Sequence, residues 1–248
     1  MQLFYLPGTN LSESFGAGNI YLTLPPEESL HAARVLRLKP GDQLSVTDGT
    51  GSTALAVVED PNPKTCEIRM LSVERSAGKG YSLHIAVAPT KNAARFEWFL
   101  EKATEFGIQE ITPVYCDHSE RQKIRTERLE KVVVAAMKQS LGSFLPVIHE
   151  PADLKKIIKS HAGQPNCFIA WVDDAPRPHL KDVCLPGRDA LVLIGPEGDF
   201  SPAEISLALG SGFQPVSLGK ARLRTETAAL ASCFIVNLLN EQGIQNKF

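Results

Sequence analysis

The sequence predicts two domains, a small β-barrel over residues 1–75 and an α/β domain with a mostly parallel sheet over residues 76–248. Three observations carry this expectation. Up to about residue 75, short strand patterns are punctuated by turn residues. At Ser76-Ala77-Gly78-Lys79-Gly80 the composition becomes small and flexible, and beyond it strand and helix patterns alternate, the signature of βαβ units. A chain of 248 residues, 43% apolar and 22% charged, can bury a core sufficient for one large or two modest domains.

In the first domain Tyr21-Leu22-Thr23-Leu24 reads as a strand, and Pro25-Pro26-Glu27-Glu28 opens a single helix whose apolar residues are Leu30, Ala33, Val35 and Leu36. Three further strands follow at Gln43 to Thr47, Ala54 to Glu59 and Cys66 to Val73. They are separated by Asp48-Gly49-Thr50-Gly51 and Pro61-Asn62-Pro63. In the second domain Leu83 to Val87 is a strand, and Asn92 caps a helix with Phe96, Phe99, Leu100, Ala103 and Phe106 in one stripe, ended by Gly107. Ile111 to Tyr115 is the next strand. Leu129, Val132, Val133 and Ala136 mark one amphipathic helix, Leu154, Ile157 and Ile158 another, and Phe168 to Val172 a further strand.

Composition removes several classes of function. No apolar run approaches the ~20 residues that cross a bilayer, and the first residues lack the basic and apolar regions of a signal peptide, so a soluble cytoplasmic protein is expected. The five cysteines are scattered and never form C-x-x-C, which suits reduced thiols, and the six histidines show no ligand spacing, so no metal is expected. A net charge of −2 does not identify a nucleic-acid partner. Locally, Arg121, Lys123, Arg125, Arg128, Lys131 and Lys138 outnumber Glu127 and Glu130, a pattern that serves a solvated helix face as well as an RNA contact.

Ala190-Leu191-Val192-Leu193-Ile194 is a continuous apolar run suited to a strand covered on both faces, and Gly195-Pro196-Glu197-Gly198 follows at once. Ligands of open α/β sheets bind at such strand ends. Ser201-Pro202-Ala203-Glu204 has the composition of a capping box with proline at the first helical position. A second unit runs from Gln214 to Leu218 and Gly219 into a long apolar helix from about Glu226 to Leu239. The two turns are either a ligand site with close backbone approach or simply well-formed turns. Gly219-Lys220 is no phosphate loop, because Gln214 and Ala221 occupy its diagnostic positions, and Gly49 to Ala54 lies in a hairpin with no helix after it.

The strings Leu193-Ile194-Gly195-Pro196-Glu197-Gly198-Asp199-Phe200-Ser201 and Leu218 to Ala229 closely resemble the RsmE family of small-subunit rRNA uridine-N3 methyltransferases. The resemblance continues through His31 to Arg37, Gly41-Asp42, Asp48 to Gly51 and Lys102 to Gly107. It implies a PUA-like RNA-gripping barrel and a SPOUT domain tied in a trefoil knot, with S-adenosyl-L-methionine bound by knot loops at a homodimer interface. The implied activity is methylation of uridine N3 in 16S rRNA of the small ribosomal subunit. The implied cofactor residues are Ile194, Gly195, Pro196, Glu197, Gly198, Leu218, Gly219, Leu223, Arg224, Thr225 and Thr227. Arg224 is the candidate catalytic residue, with Glu197 and Glu226 as alternatives, and His31, Arg34, Arg37, Arg95, Lys102 and Arg121 are the candidate RNA contacts. Rival functions are methylation of another base or of a ribose 2′-hydroxyl, and non-catalytic RNA binding in ribosome assembly. Two departures stand out. The family's Glu-Ala-Ala-Glu-Gln-Ser-Gly-Arg is Ala135-Ala136-Met137-Lys138-Gln139-Ser140-Leu141-Gly142 here, and Asp199 takes the place of a common glycine.

Overall fold

The computed structural model describes residues 2–120, 123–173 and 175–241. They form two compact units, one built from the chain up to Gly78 together with Val134–Leu145, the other from Lys79–Val133 and the chain from Pro146 onward.

The first unit contains β1 (Leu3–Tyr5), α1 (Leu11–Gly16), β2 (Tyr21–Thr23), α2 (Pro26–Leu30), β3 (Gln43–Thr47), β4 (Ser52–Asp60) and β5 (Glu67–Arg75). Its sheet has the order β1-β3-β4-β5-β2, with β1 parallel to β3 and the other pairs antiparallel. The five strands form a mixed sheet around one core, a half-barrel. Alternate residues of β4 turn inward, and Ala54, Ala56 and Val58 join Phe4, Leu44, Val46, Ile68 and Met70 in one core.

Two corrections concern the helices of this unit. Sequence reasoning missed α1, which has six residues, too few for periodicity, although Asn10 caps it by accepting a bond from the Glu13 amide at 3.1 Å. The α2 helix passes into a π-turn at His31–Val35, where the Leu36 amide donates to the His31 carbonyl. That wider turn rotates the face: Ser29 and Ala32 are buried, whereas Leu30, Val35 and Leu36 are exposed.

Asp48 organises the Gly49–Gly51 turn by accepting bonds from the amides of Leu11, Thr50 and Ser52. Burial pushes its carboxyl up, but the bonds from Thr50 and Ser52 outweigh it and hold the group below its ordinary range. The same turn binds the returning segment, with Leu145 donating to Gly49 and Gly51 to Ser143, both at 2.8 Å. Phe144 covers Gly51 so closely that an added Cβ would lie 2.5 Å from its ring. Leu141, which stands where the family pattern has glycine, has φ +57°, a left-handed conformation that costs a branched side chain about 1 kcal/mol.

The second unit comprises β6 (Leu83–Val87), α3 (Ala93–Glu105), β7 (Glu110–Tyr115), the first part of α4 (Thr126–Gln139), β8 (Val147–Ile148), β9 (Ala152–Asp153), α5 (Leu154–Ser160), β10 (Cys167–Ala170), α6 (Leu180–Val183), β11 (Ala190–Ile194), α7 (Pro202–Gly210), β12 (Gln214–Val216) and α8 (Thr225–Asn240). All its strands pair in parallel, in the order β12-β10-β11-β6-β7-β8, with β9 also beside β7. Pro113 explains that division, because β8 pairs with β7 up to Ile111 and β9 from Val114, on either side of the residue that lacks an N–H. Pro215 likewise sits on the edge strand β12. One sheet face, through Ala86, Val114, Ile169, Leu191 and Leu193, packs with Leu154 and Ile158 of α5 and Ala208 of α7. The alternate residues, among them Ile85, Val87, Val192 and Ile194, are equally buried, on the side where α8 lies on β6 and β11 and packs with α3 and α6.

At the opposite end of the strands from the loops described below, His84 donates to or accepts from Thr112 at 2.7 Å, with His149 and His161 rings 5.4 and 5.9 Å away and Glu110 nearby. Burial outweighs the opposing Glu110 charge and pulls His84 from 6.5 down to about 4. The unfolded chain therefore binds a proton that the folded chain refuses between these values, and stability falls as pH drops through that window, by up to roughly 3 kcal/mol. Urea midpoints measured from pH 7 to pH 4 should show this loss, and His84→Asn should flatten it; an unchanged slope in the variant contradicts the assignment.

Candidate active site

Because every strand of the second unit runs in the same direction, the loops after β10, β11 and β12 leave from one edge of the sheet. They enclose a two-lobed cleft. The first lobe, about 410 Å³, is lined by Ile194 to Glu197, Asp199, Arg222 to Thr225, Ala228 and Ala170 to Val172. The second, about 620 Å³, shares Trp171, Val172, Arg222 and Leu223 and adds Arg177, His179 and Ser217 to Ala221. Both volumes are those of sites that hold a ligand of cofactor size.

The β11 loop is held from several sides. Gly195 packs under Phe200, and an added Cβ would lie 3.2 Å from the ring and 3.3 Å from the Phe200 amide. The buried Thr225 hydroxyl donates to the Gly195 carbonyl at 3.0 Å, tying this loop to the first turn of α8. Asp199 adopts φ +62°, which explains why glycine suits this position, and its carboxylate offsets the strain by accepting from the amides of Phe200 and Val172, both at 2.8 Å. His118 bonds the Gly198 and Asp199 carbonyls, each at 3.0 Å, and the Glu197 carboxylate accepts from the Lys91 amide.

Ser201 and Glu204 form the expected capping box. Glu204, 1% exposed, also accepts from the Asp117 amide at 2.8 Å. The Ser201 hydroxyl donates to Asp117 at 2.6 Å, and this bond, ahead of the Lys155 ammonium, holds the Asp117 carboxyl below its ordinary range.

The β12 loop is built differently. Gly219, at φ +127°, is tied by its amide to the Ser217 hydroxyl. From Lys220 to Arg224 the backbone amides make no hydrogen bond to another described residue, leaving donors along the cleft wall for a ligand. Arg224 is the N-cap of α8, bears no side-chain capping bond and is exposed.

Of the residues expected at the cofactor, Ile194, Gly195, Pro196, Glu197, Leu223, Arg224 and Thr225 line the first lobe, and Leu218 and Gly219 the second. Gly198 packs on His118 behind the turn, and Thr227 faces a neighbouring groove with Arg95, Trp98 and Arg224. Arg95 lies 3.8 Å from the Glu226 carboxylate, and Lys102 is engaged with Glu101 and Glu105. His31, Arg34 and Arg37 belong to the first unit, the latter two exposed, and Arg121 lies outside the described residues. Sequence reasoning missed Trp171, Arg177 and Arg222 as cleft residues and Asp117 and His118 as supports. Arg222 stands inside the family string Leu218 to Ala229, Trp171, Asp117 and His118 were signalled only by position just after a strand, and Arg177 by nothing local.

Among the described residues no cluster of His, Cys, Asp and Glu has the arrangement of a metal site, and no helix is long and apolar enough to cross a membrane. A parallel α/β sheet whose strand-end glycine turns enclose a cleft defines a binding fold for a small ligand of cofactor size. The RNA methyltransferase domain family matches residues 78–237, and the RNA methyltransferase PUA domain family matches residues 24–71. The chain is 30% identical over 226 residues to the ribosomal RNA small subunit methyltransferase E of Synechocystis sp., spanning 89% of this chain and 74% of that one. Among solved structures it is similar to a probable rRNA-methyltransferase from Porphyromonas gingivalis, with 41% identity, TM-score 0.84 and coverage of 97% and 98% of the two chains. It is also similar to ribosomal RNA small subunit methyltransferase E from Neisseria gonorrhoeae bound to S-adenosyl methionine, with 26% identity, TM-score 0.82 and coverage of 96% and 98%. The chain belongs to the family of RNA methyltransferases typified by ribosomal RNA small subunit methyltransferase E.

Proposed function

We propose that the protein is an S-adenosylmethionine-dependent methyltransferase acting on N3 of a uridine in the 16S rRNA of the small ribosomal subunit. The observation that carries this reading is the cleft itself: residues of both family strings, Ile194 to Glu197 and Leu218 to Thr225, line its two adjoining lobes. Calorimetry with S-adenosylhomocysteine tests it; a wild-type protein that binds none has no cofactor site.

S-adenosylmethionine bound there supplies an electrophilic methyl on its sulfonium sulfur. Transfer of that methyl to uracil N3 would release the imide proton to solvent and leave S-adenosylhomocysteine in the cleft. The chain's contribution is alignment and stabilisation of the developing uracil anion. N3 is normally paired, so the target base enters unstacked. Arg224, exposed at the cleft mouth with a permanent charge, contacts the uracil, while Thr225 and Asp199 keep its platform fixed.

In this reading the first unit and Arg95, Lys102 and Arg121 grip phosphates. Affinity for 16S rRNA fragments should then fall steeply between about 50 and 200 mM salt, and a flat response contradicts these contacts. The second unit has the SPOUT knot, the enzyme works in the cytoplasm, and it acts as a homodimer. Trp98, Phe106, Phe234 and Leu238, all between 41% and 53% exposed on α3 and α8, supply an apolar face for the second copy.

A further inference from the structure

The second lobe of the cleft contains a pairing that the family strings do not account for. Arg177 is buried, its side chain 8% exposed, with its guanidinium stacked 3.5 Å from the centre of the Trp171 ring and one nitrogen donating to the Trp171 carbonyl at 2.8 Å. Asp173 lies against it as an ion pair. Both side chains of this pair border the second lobe. The carboxylate is positioned independently, accepting from the Trp171 indole at 2.9 Å and from the Ala175 amide at 2.9 Å. Both charges are thus held in place by Trp171 and the local backbone, side by side at the wall of the second lobe.

A fixed guanidinium beside a fixed carboxylate is the complement of an α-amino acid headgroup, which carries one carboxylate and one ammonium. The first lobe, with its glycine turns and Leu223, suits the adenosine end of the same molecule. We infer that Arg177 and Asp173 form the subsite for the zwitterionic amino-acid end of the cofactor, Arg177 bonding its carboxylate and Asp173 its ammonium. This rests on the cofactor reading above.

The test compares S-adenosylhomocysteine, which has the headgroup, with 5′-methylthioadenosine, which keeps the adenosine and lacks it, by calorimetry on the full chain. Arg177→Ala should weaken S-adenosylhomocysteine by roughly tenfold or more and leave 5′-methylthioadenosine within about twofold, which also reports that the cleft is folded. Asp173→Asn should shift the two ligands in the same unequal way. Equal losses for both ligands, or no loss for either, overturn the subsite while leaving the cofactor reading intact. A wild-type protein that binds neither ligand overturns both.

Discussion

Arg224→Ala should lower the single-turnover rate of methyl transfer by about 10²- to 10³-fold while changing S-adenosylhomocysteine affinity only a few-fold. The reason is geometric and electrostatic. Arg224 caps α8 without spending its side chain on the cap, lies at the mouth of the first lobe and is exposed before RNA binds. A positive charge in that place does little for a bound cofactor but stabilises the anion that forms when uracil N3 loses its proton. Losses of this size are typical when one preorganised group facing developing charge is removed. Arg224→Lys keeps the charge without the planar fork and should recover part of the rate. A parallel fall in rate and in cofactor affinity would instead make Arg224 a structural part of the loop.

Glu204→Ala should destabilise the second unit by about 2–4 kcal/mol, read as a lower urea midpoint. Glu204 is buried and accepts from two amides, Ser201 and Asp117, each at 2.8 Å. Truncation leaves both donors without a partner and removes half of the capping box, effects worth about 1–3 kcal/mol for each orphaned buried group. The loss falls where the β11 loop meets α7, so cofactor affinity should drop with stability. A midpoint unchanged within error contradicts the role given to this network.

The sequence revealed the fold wherever local chemistry decides. Asn92 and Ser201 cap α3 and α7 as their neighbours predict, and the apolar run Ala190–Ile194 is the central strand β11, buried throughout. It failed where distant contacts decide. No local pattern says that β1 pairs in parallel with β3 or that a π-turn exposes Leu30 and Val35. The site divided in the same way. Glycine turns are visible as glycines, so Gly195 and Gly219 were legible, whereas Trp171 and Arg177 reach the cleft only because β10 lies between β11 and β12. Asp117 is recognisable as a support only once the fold sets it beside Ser201, 84 positions away.

The reaction proposed for this cleft is methyl transfer to uridine N3 of small-subunit rRNA. The most direct measurement is mass mapping of 16S rRNA from a strain lacking the gene, before and after the gene is restored. One N3-methyluridine should disappear on deletion, return with the wild-type gene and stay absent with the Arg224→Ala form. An N3-methyluridine signal unchanged by deletion, with loss of a ribose 2′-O-methyl or of another base methyl instead, would contradict it.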